Sequence, residues 1–170
     1  GASYGGYATL MGLVNDPDLY ACGINWLGVT DINLMYTGHW SFTSDMTEGW
    51  KQYGMPVLVG DQVADAAQLK ATSPLEQAAR IKKPLMLAYG AVDERVPLYH
   101  GRKFLEAVKP HNPNVEWVVY DEEGHGWQRR EKPCLEGASF DAIGCRYRLI
   151  ELDDNLEDIV SLAVNILAQD

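Results

Sequence analysis

The sequence has few of the features that mark membrane proteins or nucleic-acid-binding proteins. No uninterrupted apolar run approaches the roughly eighteen residues that a membrane-spanning helix requires. Basic residues are also scarce, because 14 lysines and arginines stand against 24 aspartates and glutamates, for a net charge of −10. Such a charge repels phosphate backbones and anionic lipid head groups. We therefore predict no nucleic-acid partner and no membrane partner.

Paired cysteines and metal-binding motifs are absent from the sequence as well. The three cysteines, Cys22, Cys134 and Cys145, are an odd number and include no C-x-x-C pair. This count indicates neither a disulfide framework nor a zinc knuckle. No H-E-x-x-H or comparable ligand spacing occurs. We predict reduced thiols, no metal and no cofactor, and the acidic charge with reduced thiols favours a cytoplasmic location.

What the sequence does contain is a globular composition, 46% hydrophobic and 22% charged, with strand and helix signals in alternation. The patterns predict buried strands over 21–27, 84–89 and 115–120, and helices over 5–14, 61–69, 73–80, 98–108 and 154–167. Strands and helices at these separations indicate parallel βαβ units, and hence an α/β fold. The aromatic-rich stretch 30–59 is predicted as short helices and loops over the carboxyl edge of the sheet, and 131–148 receives no assignment.

The first five residues form a G-x-S-x-G sequence, which places Ser3 between Gly1 and Gly5. This pattern is typical of the nucleophile elbow, a tight turn between a strand and a helix that presents a serine hydroxyl. A side chain at either glycine is expected to clash with the strand or to block approach to the hydroxyl. The elbow normally follows a central strand, and here no strand precedes it. We therefore expect the C-terminal portion of a catalytic domain, with the N-terminal strands absent.

Two further residues complete a candidate catalytic unit with Ser3. Asp93 follows the predicted strand 84–89, and His125 follows the predicted strand 115–120. The loops at the carboxyl ends of parallel strands converge on one edge of a sheet, where ligands bind. The chain order Ser3, Asp93, His125 is that of the α/β-hydrolase arrangement. We predict that His125 takes the proton of Ser3 and that Asp93 orients the imidazole.

Each of the three residues also has an ordinary structural interpretation. A single G-x-S-x-G sequence occurs by chance in many proteins, Asp93 could cap a turn, and His125 could lie in a surface turn. The three together, each beside a predicted strand end, favour catalysis. The remaining histidines, His39, His100 and His111, are predicted to be structural or solvated.

With these motifs in view, the sequence resembles the catalytic domain of the prolyl oligopeptidase family of serine peptidases. The resemblance covers about residues 1–127, and Tyr4 after the serine is similar to the acylaminoacyl peptidase and dipeptidyl peptidase branches. The motifs that carry it are Gly1 to Tyr7, Ser73-Pro74-Leu75, Gly90 to Pro97 and Gly124-His125-Gly126.

The resemblance implies a fold, site residues and a reaction. It implies a partial α/β-hydrolase fold over residues 1–170, with a mostly parallel sheet flanked by helices. It implies Ser3 as nucleophile, His125 as general base and acid, Asp93 as the orienting carboxylate, and the backbone N–H of Tyr4 as an oxyanion donor. Substrate-binding roles for Val96, Tyr36 and Trp40 are implied as well. The reaction would be hydrolysis of peptide bonds, in short peptides, through an acyl-enzyme.

Three functions stay open at this point. The first is a serine peptidase whose isolated chain is weakly active or inactive, because the family's N-terminal strands, second oxyanion donor and usual β-propeller are absent. The second is a carboxylesterase of the same fold, since the same unit transfers acyl groups from alcohols or amines. The third is a non-catalytic truncated α/β module. A peptide substrate, a second copy of the chain, or a missing N-terminal portion of the same protein are the expected partners.

Overall fold

The computed structural model describes residues 1–37 and 45–126. A π-helical turn spans Trp50–Gly54, and a 3-10 turn spans Ala78–Arg80. The predicted helix over 154–167 and the unassigned stretch 131–148 lie outside the described residues. In chain order the regular elements are α1 Tyr4–Asn15, β1 Gly23–Trp26, α2 Ile32–Thr37, α3 Met55–Leu58, α4 Ala66–Ala71, β2 Leu85–Gly90, α5 Leu98–Val108 and β3 Val115–Tyr120.

The three strands form a parallel sheet in the order β1-β2-β3. Gly23 pairs with Leu85 where β1 meets β2, and Leu85 pairs with Val115 where β2 meets β3. Ala2 makes a parallel bridge to Trp26, so the residues before α1 run alongside β1. The parallel sheet with its flanking helices confirms the predicted α/β fold, and it brings the carboxyl ends of all these segments to one edge.

The core of the described residues lies around β2, the middle strand. All six residues of β2 are buried, as expected for a strand covered on both faces, whereas every residue of β3 is only partly buried. Helix α1 packs against β1, and α5 packs against β2. Their buried apolar side chains include Leu10, Leu13 and Val14 of α1 and Phe104 and Val108 of α5. The predicted strands and these two helices are confirmed, with ends shifted by a few residues.

Helix α4 begins five residues later than the predicted helix 61–69, because aspartate side chains hold the segment before it in a turn. The Asp61 carboxylate accepts from the backbone N–H of Val63 and of Ala64, each at 2.8 Å. The Asp61 N–H in turn donates to the Asp65 carboxylate at 2.8 Å. Aspartate competes in this way with the helical hydrogen bonds of its own backbone. The two backbone donors also lower the pKa of Asp61.

The Ser73-Pro74-Leu75 segment makes a turn against the loop that follows β1. The Leu75 N–H donates to the Thr30 carbonyl at 2.9 Å, and the Ser73 hydroxyl oxygen accepts from the Glu76 N–H at 3.3 Å. The predicted helix 73–80 is thus a capped turn that ends in a 3-10 turn. The bond from Leu75 to Thr30 thereby fixes the connection between β1 and α2 to a segment that is not part of the sheet.

The prediction of reduced thiols is wrong for Cys22, which is disulfide-bonded. The other two cysteines, Cys134 and Cys145, lie outside the described residues. Because disulfides persist mainly in oxidising compartments, the cytoplasmic location loses one of its two arguments and stays a prediction. Among the helices of residues 1–37 and 45–126, none is long and apolar enough to cross a membrane.

Candidate active site

Ser3 lies on a strained turn between the segment that pairs with β1 and the start of α1. Its φ of 55° and ψ of −123° fall in a region that residues with a side chain rarely adopt. The backbone nevertheless holds it on both sides. The Ser3 N–H donates to the Trp26 carbonyl at 2.9 Å, and the Ser3 carbonyl accepts from the N–H groups of Gly6 and Tyr7. The sharp turn therefore has the geometry that lifts a serine hydroxyl off the end of a sheet.

The glycines of the elbow do not share one role, contrary to the expectation from the sequence. A Cβ on Gly1 would overlap the carbonyl of Gly5, so this position has no room for a side chain. A Cβ on Gly5 would meet no heavy atom within 4 Å among the described residues. A clash with the strand therefore does not arise at Gly5, because the first turn of α1 points that position outward, and the alternative, that a side chain there blocks approach to the Ser3 hydroxyl, stays a prediction.

Asp93 is fixed by its own loop at the carboxyl end of β2. One carboxylate oxygen, Oδ1, accepts from the N–H of Arg95 and from the N–H of Val96, both at 2.9 Å. Both bonds close the loop that leads into α5, so the carboxylate is a turn cap as well as a candidate catalytic group. The other oxygen, Oδ2, is left to face the neighbouring loop after β3.

His125 joins Asp93 to Ser3 in one hydrogen-bonded row. Its Nδ1 lies 2.8 Å from Asp93 Oδ2, and its Nε2 lies 2.9 Å from Ser3 Oγ. A carboxylate can only accept, so Nδ1 carries the proton and Nε2 is free to accept from the serine hydroxyl. The structure thus brings together the three residues that the sequence places 32 and 122 positions apart.

Tyr4 is the first residue of α1, directly after the serine. The first N–H groups of a helix have no acceptor within the helix, and they carry the positive end of its dipole. The Tyr4 backbone N–H is therefore of the right kind to stabilise a negative oxygen beside Ser3. Its ring is 56% exposed and stacks against Tyr7, with ring centres 5.0 Å apart.

The three residues predicted to bind substrate have different surroundings. Val96 is only 1% exposed and packs in the core, so a substrate could touch it only after the residues above it moved. The Tyr36 hydroxyl donates to the Gly60 carbonyl at 2.7 Å, and this ties α2 to the loop before α4. Burial, followed by Asp61 and Asp65, raises the pKa of Tyr36. Trp40 lies outside the described residues.

Sequence reasoning missed an ion pair that attaches to the Asp93 loop. Arg95 Nε lies 2.5 Å from Asp45 Oδ2, and the Asp45 N–H donates to the Glu94 carbonyl at 3.2 Å. The partners are 50 residues apart, and no local pattern signals such a pairing. The loop that holds Asp93 is thereby anchored to a segment far away in sequence.

His100 is a structural residue, as predicted, and it is buried rather than solvated. Its Nδ1 accepts from the Thr30 N–H at 3.3 Å, while the Thr30 hydroxyl donates to the His100 carbonyl at 3.0 Å. Burial lowers the pKa of His100 to about 3, so the ring is neutral at ordinary pH. In the part of the chain that the structure describes, no three His, Cys, Asp or Glu side chains cluster as metal ligands would.

The fold and this geometry together define a class of protein. A serine on a strained elbow beside a parallel sheet, with an acid and a histidine after later strands, is an α/β-hydrolase arrangement. The sequence model of the prolyl oligopeptidase family matches residues 1–137. The chain belongs to that family.

Named relatives and solved structures agree with this membership. Dipeptidyl aminopeptidase BIII of Pseudoxanthomonas mexicana is 36% identical over 135 residues, which is 77% of this chain and 19% of that protein. The crystal structure of puromycin hydrolase is 29% identical with a TM-score of 0.63, over 77% of this chain and 19% of that one. Uncomplexed acylaminoacyl peptidase of Pyrococcus horikoshii is 25% identical with a TM-score of 0.69, over 94% and 25%. The chain spans about a fifth of the length of the relatives it matches.

Proposed function

We propose that the protein is a serine peptidase in which Ser3, His125 and Asp93 act as the catalytic unit. The observation that carries the proposal is the hydrogen-bonded row from Asp93 Oδ2 through His125 to Ser3 Oγ, with distances of 2.8 and 2.9 Å. Serine is a weak nucleophile, and this arrangement supplies both the base and the group that orients it.

In the proposed reaction, Ser3 Oγ attacks the carbonyl carbon of the scissile bond while His125 Nε2 takes the hydroxyl proton. The imidazolium then gives that proton to the leaving amine, which departs and leaves an ester on Ser3. Water, deprotonated by the same nitrogen, attacks the ester and releases the acid, and the proton returns to Ser3. Asp93 holds the imidazole in the Nδ1–H form and stabilises its positive charge throughout.

The Tyr4 N–H is the proposed donor to the oxygen that becomes negative when Ser3 attacks. Its place at the start of α1 supports the role, because a helix N-terminus favours negative charge. Removal of one such donor in other hydrolases costs about 3 kcal/mol of transition-state stabilisation. Because the donor is a backbone group, a side-chain change at Tyr4 leaves it in place.

The proposed substrates are short peptides, and residues 1–170 are proposed to be the C-terminal portion of an α/β-hydrolase catalytic domain. The names of the relatives support a peptide substrate, since they include a dipeptidyl aminopeptidase and an acylaminoacyl peptidase. The matched share of about a fifth supports a larger parent protein. Tyr36 and Trp40 stay proposed pocket residues, and Val96 becomes one only if the surface above it opens.

Labelling with a fluorophosphonate probe tests the proposal. Ser3 should form a covalent adduct, rapidly in the larger parent protein and slowly in the isolated chain, and Ser3→Ala should abolish it in both. Ser73→Ala is the matched control, because it also removes a serine hydroxyl and should leave the labelling of Ser3 in place. Labelling that persists in Ser3→Ala would overturn the proposed nucleophile.

A pair of substrates separates a peptidase from a carboxylesterase. Aminoacyl anilides have an amine leaving group, whereas simple acyl esters have an alcohol. A peptidase should hydrolyse both, and Ser3→Ala should abolish both activities. Hydrolysis of the esters alone, under conditions where a family peptidase cleaves the anilides, would favour the esterase.

A further inference from the structure

A buried polar row lies beneath the nucleophile elbow. Ser3 makes hydrogen bonds to Trp26 and to Val29, which flank the pair Leu27-Gly28: its N–H donates to the Trp26 carbonyl, and its carbonyl accepts from the Val29 N–H at 3.4 Å. We call residues 27–29 the elbow seat. The position of the nucleophile therefore depends on the position of the elbow seat.

The elbow seat is itself a strained piece of backbone. Leu27 has a φ of 52°, and Ser3 is the only other non-glycine residue with a positive φ among the described residues. Conformations of this kind persist only where the surroundings determine them. Because Ser3 is hydrogen-bonded to Trp26 and Val29, which flank Leu27-Gly28, the two strained residues depend on one common support.

That support comes from β2, the strand whose end carries Asp93. The Leu27 N–H donates to the Ala88 carbonyl at 2.8 Å, and the Tyr89 hydroxyl donates to the Gly28 carbonyl at 2.8 Å. The Asn25 amide donates to the Tyr89 oxygen at 3.0 Å. Because the amide supplies a proton to that oxygen, the hydroxyl proton is directed at Gly28.

The same asparagine also touches the nucleophile helix. A Cβ placed on Gly6, in the first turn of α1, or on Gly28 would overlap Asn25 Oδ1. Both side chains of the row, Asn25 and Tyr89, are fully buried, and burial raises the pKa of Tyr89 so that its hydroxyl stays protonated. Both donors of the row, the Asn25 amide and the Tyr89 hydroxyl, are directed at acceptors, whereas Asn25 Oδ1 has no hydrogen-bond partner among the described residues. Directed hydrogen bonds in a buried setting rigidify the groups they join.

We propose that Asn25 and Tyr89 are positioning residues that hold the Ser3 elbow in register with the strand bearing Asp93. The proposal rests on the proposed peptidase function, since it explains how Ser3 Oγ keeps its distance from His125. Tyr89 acts on the elbow seat through its hydroxyl, and Asn25 acts by directing that hydroxyl. Neither residue touches the substrate.

Tyr89→Phe tests the proposal, because it removes only the hydroxyl and leaves the ring in the core. We expect the rate of fluorophosphonate labelling at Ser3 to fall about 10-fold. This is the rate change that follows when the free energy of one buried hydrogen bond is lost from the stabilisation of the transition state. Asn25→Ala keeps the bond from Tyr89 to Gly28 and should lower the rate less. The pH midpoint of labelling should not move in either variant, because the base is unchanged.

Tyr7→Phe is the matched control, since it removes a tyrosine hydroxyl that donates to the Thr72 carbonyl at 3.0 Å, and it should label at the wild-type rate.

Hydrogen exchange gives a second readout that does not depend on reactivity. The Ser3 and Val29 amide protons should exchange about 10-fold faster in Tyr89→Phe than in Tyr7→Phe, while amides in the core of α5 exchange alike. Wild-type labelling and exchange rates in a folded Tyr89→Phe would overturn the positioning role and leave the peptidase proposal intact. Labelling of Ser3→Ala would instead overturn the peptidase proposal, and the exchange result would still decide whether the row holds the elbow.

Discussion

The loops that carry Asp93 and His125 hold their side chains in opposite ways. The Asp93 side chain is fully buried, and two backbone N–H groups of its own loop hold it. The His125 side chain is 28% exposed and is held by its bonds to Asp93 and Ser3. Asp93 is thus held in place by its own strand–loop–helix connection, whereas His125 is positioned by its hydrogen bonds to Asp93 and Ser3. Loss of the acid should therefore damage both fold and chemistry, and loss of the base mainly chemistry.

The largest expected effect comes from His125→Ala. Without a base, peptide turnover should fall on the order of 10⁶-fold, as it does when the base of a related unit is removed elsewhere. The free energy of unfolding should change by less than in Asp93→Ala, because among the described residues no backbone group bonds to the imidazole. Urea unfolding of the two variants measures this difference. A larger loss of stability in His125→Ala than in Asp93→Ala would contradict the proposed difference between the two loops.

Asp93→Ala should lower turnover on the order of 10⁴-fold. It should also lower the free energy of unfolding by about 2 kcal/mol, because the N–H groups of Arg95 and Val96 lose their shared acceptor. Asp93→Asn is the matched control, since its carbonyl oxygen can still accept from both groups. That variant should keep most of the stability and lose the same activity. Equal destabilisation by both changes would contradict the capping role.

Gly90→Ala changes the contact between the end of β2, which leads into the Asp93 loop, and the loop that carries His125. A Cβ on Gly90, at the end of β2, would overlap the carbonyl of Glu123, two residues before His125. We expect the His125 loop to move away from Asp93, and a displacement of about 1 Å can lower turnover about 100-fold. Gly49→Ala is the control, because its backbone is already helical and a Cβ there meets no heavy atom within 4 Å among the described residues. Activity of Gly90→Ala equal to wild type would show that the loops do not depend on this contact.

The smallest effect on chemistry is expected from His100, which should instead control stability in acid. Its pKa is about 3 when folded and 6.5 when free, so the folded state binds fewer protons between these values. The neutral ring contributes fully to the free energy of unfolding above pH 6.5, and this contribution is lost as the pH falls toward 3. At pH 4.5 the wild type should have lost about 3 kcal/mol on this account. His100→Asn, whose amide oxygen can accept from Thr30, should lose less between pH 7.5 and 4.5 in urea unfolding, and parallel losses would contradict this role.

The parts that the sequence could predict are those with local or periodic signals. Strands β2 and β3 are short apolar runs ended by turn residues, and the chain order of Ser3, Asp93 and His125 follows from the loop after each strand. The Asp61 turn replaced a predicted helical turn because a side chain competed with the backbone. The Arg95–Asp45 pair and the Asn25–Tyr89 row depend on partners 50 and 64 residues apart. No spacing rule reaches such pairs, since only the folded sheet brings them together.

If Ser3, His125 and Asp93 form one hydrogen-bonded unit, the proton of the neutral His125 ring must lie on the nitrogen that faces Asp93. Nitrogen NMR of histidine-labelled protein, with His125→Ala for assignment, reports which ring nitrogen carries the proton in the neutral state. We expect a proton on Nδ1, facing Asp93, and a shift toward Nε2 in Asp93→Asn. A neutral ring protonated on Nε2 in the wild type, with no response to Asp93→Asn, would contradict it.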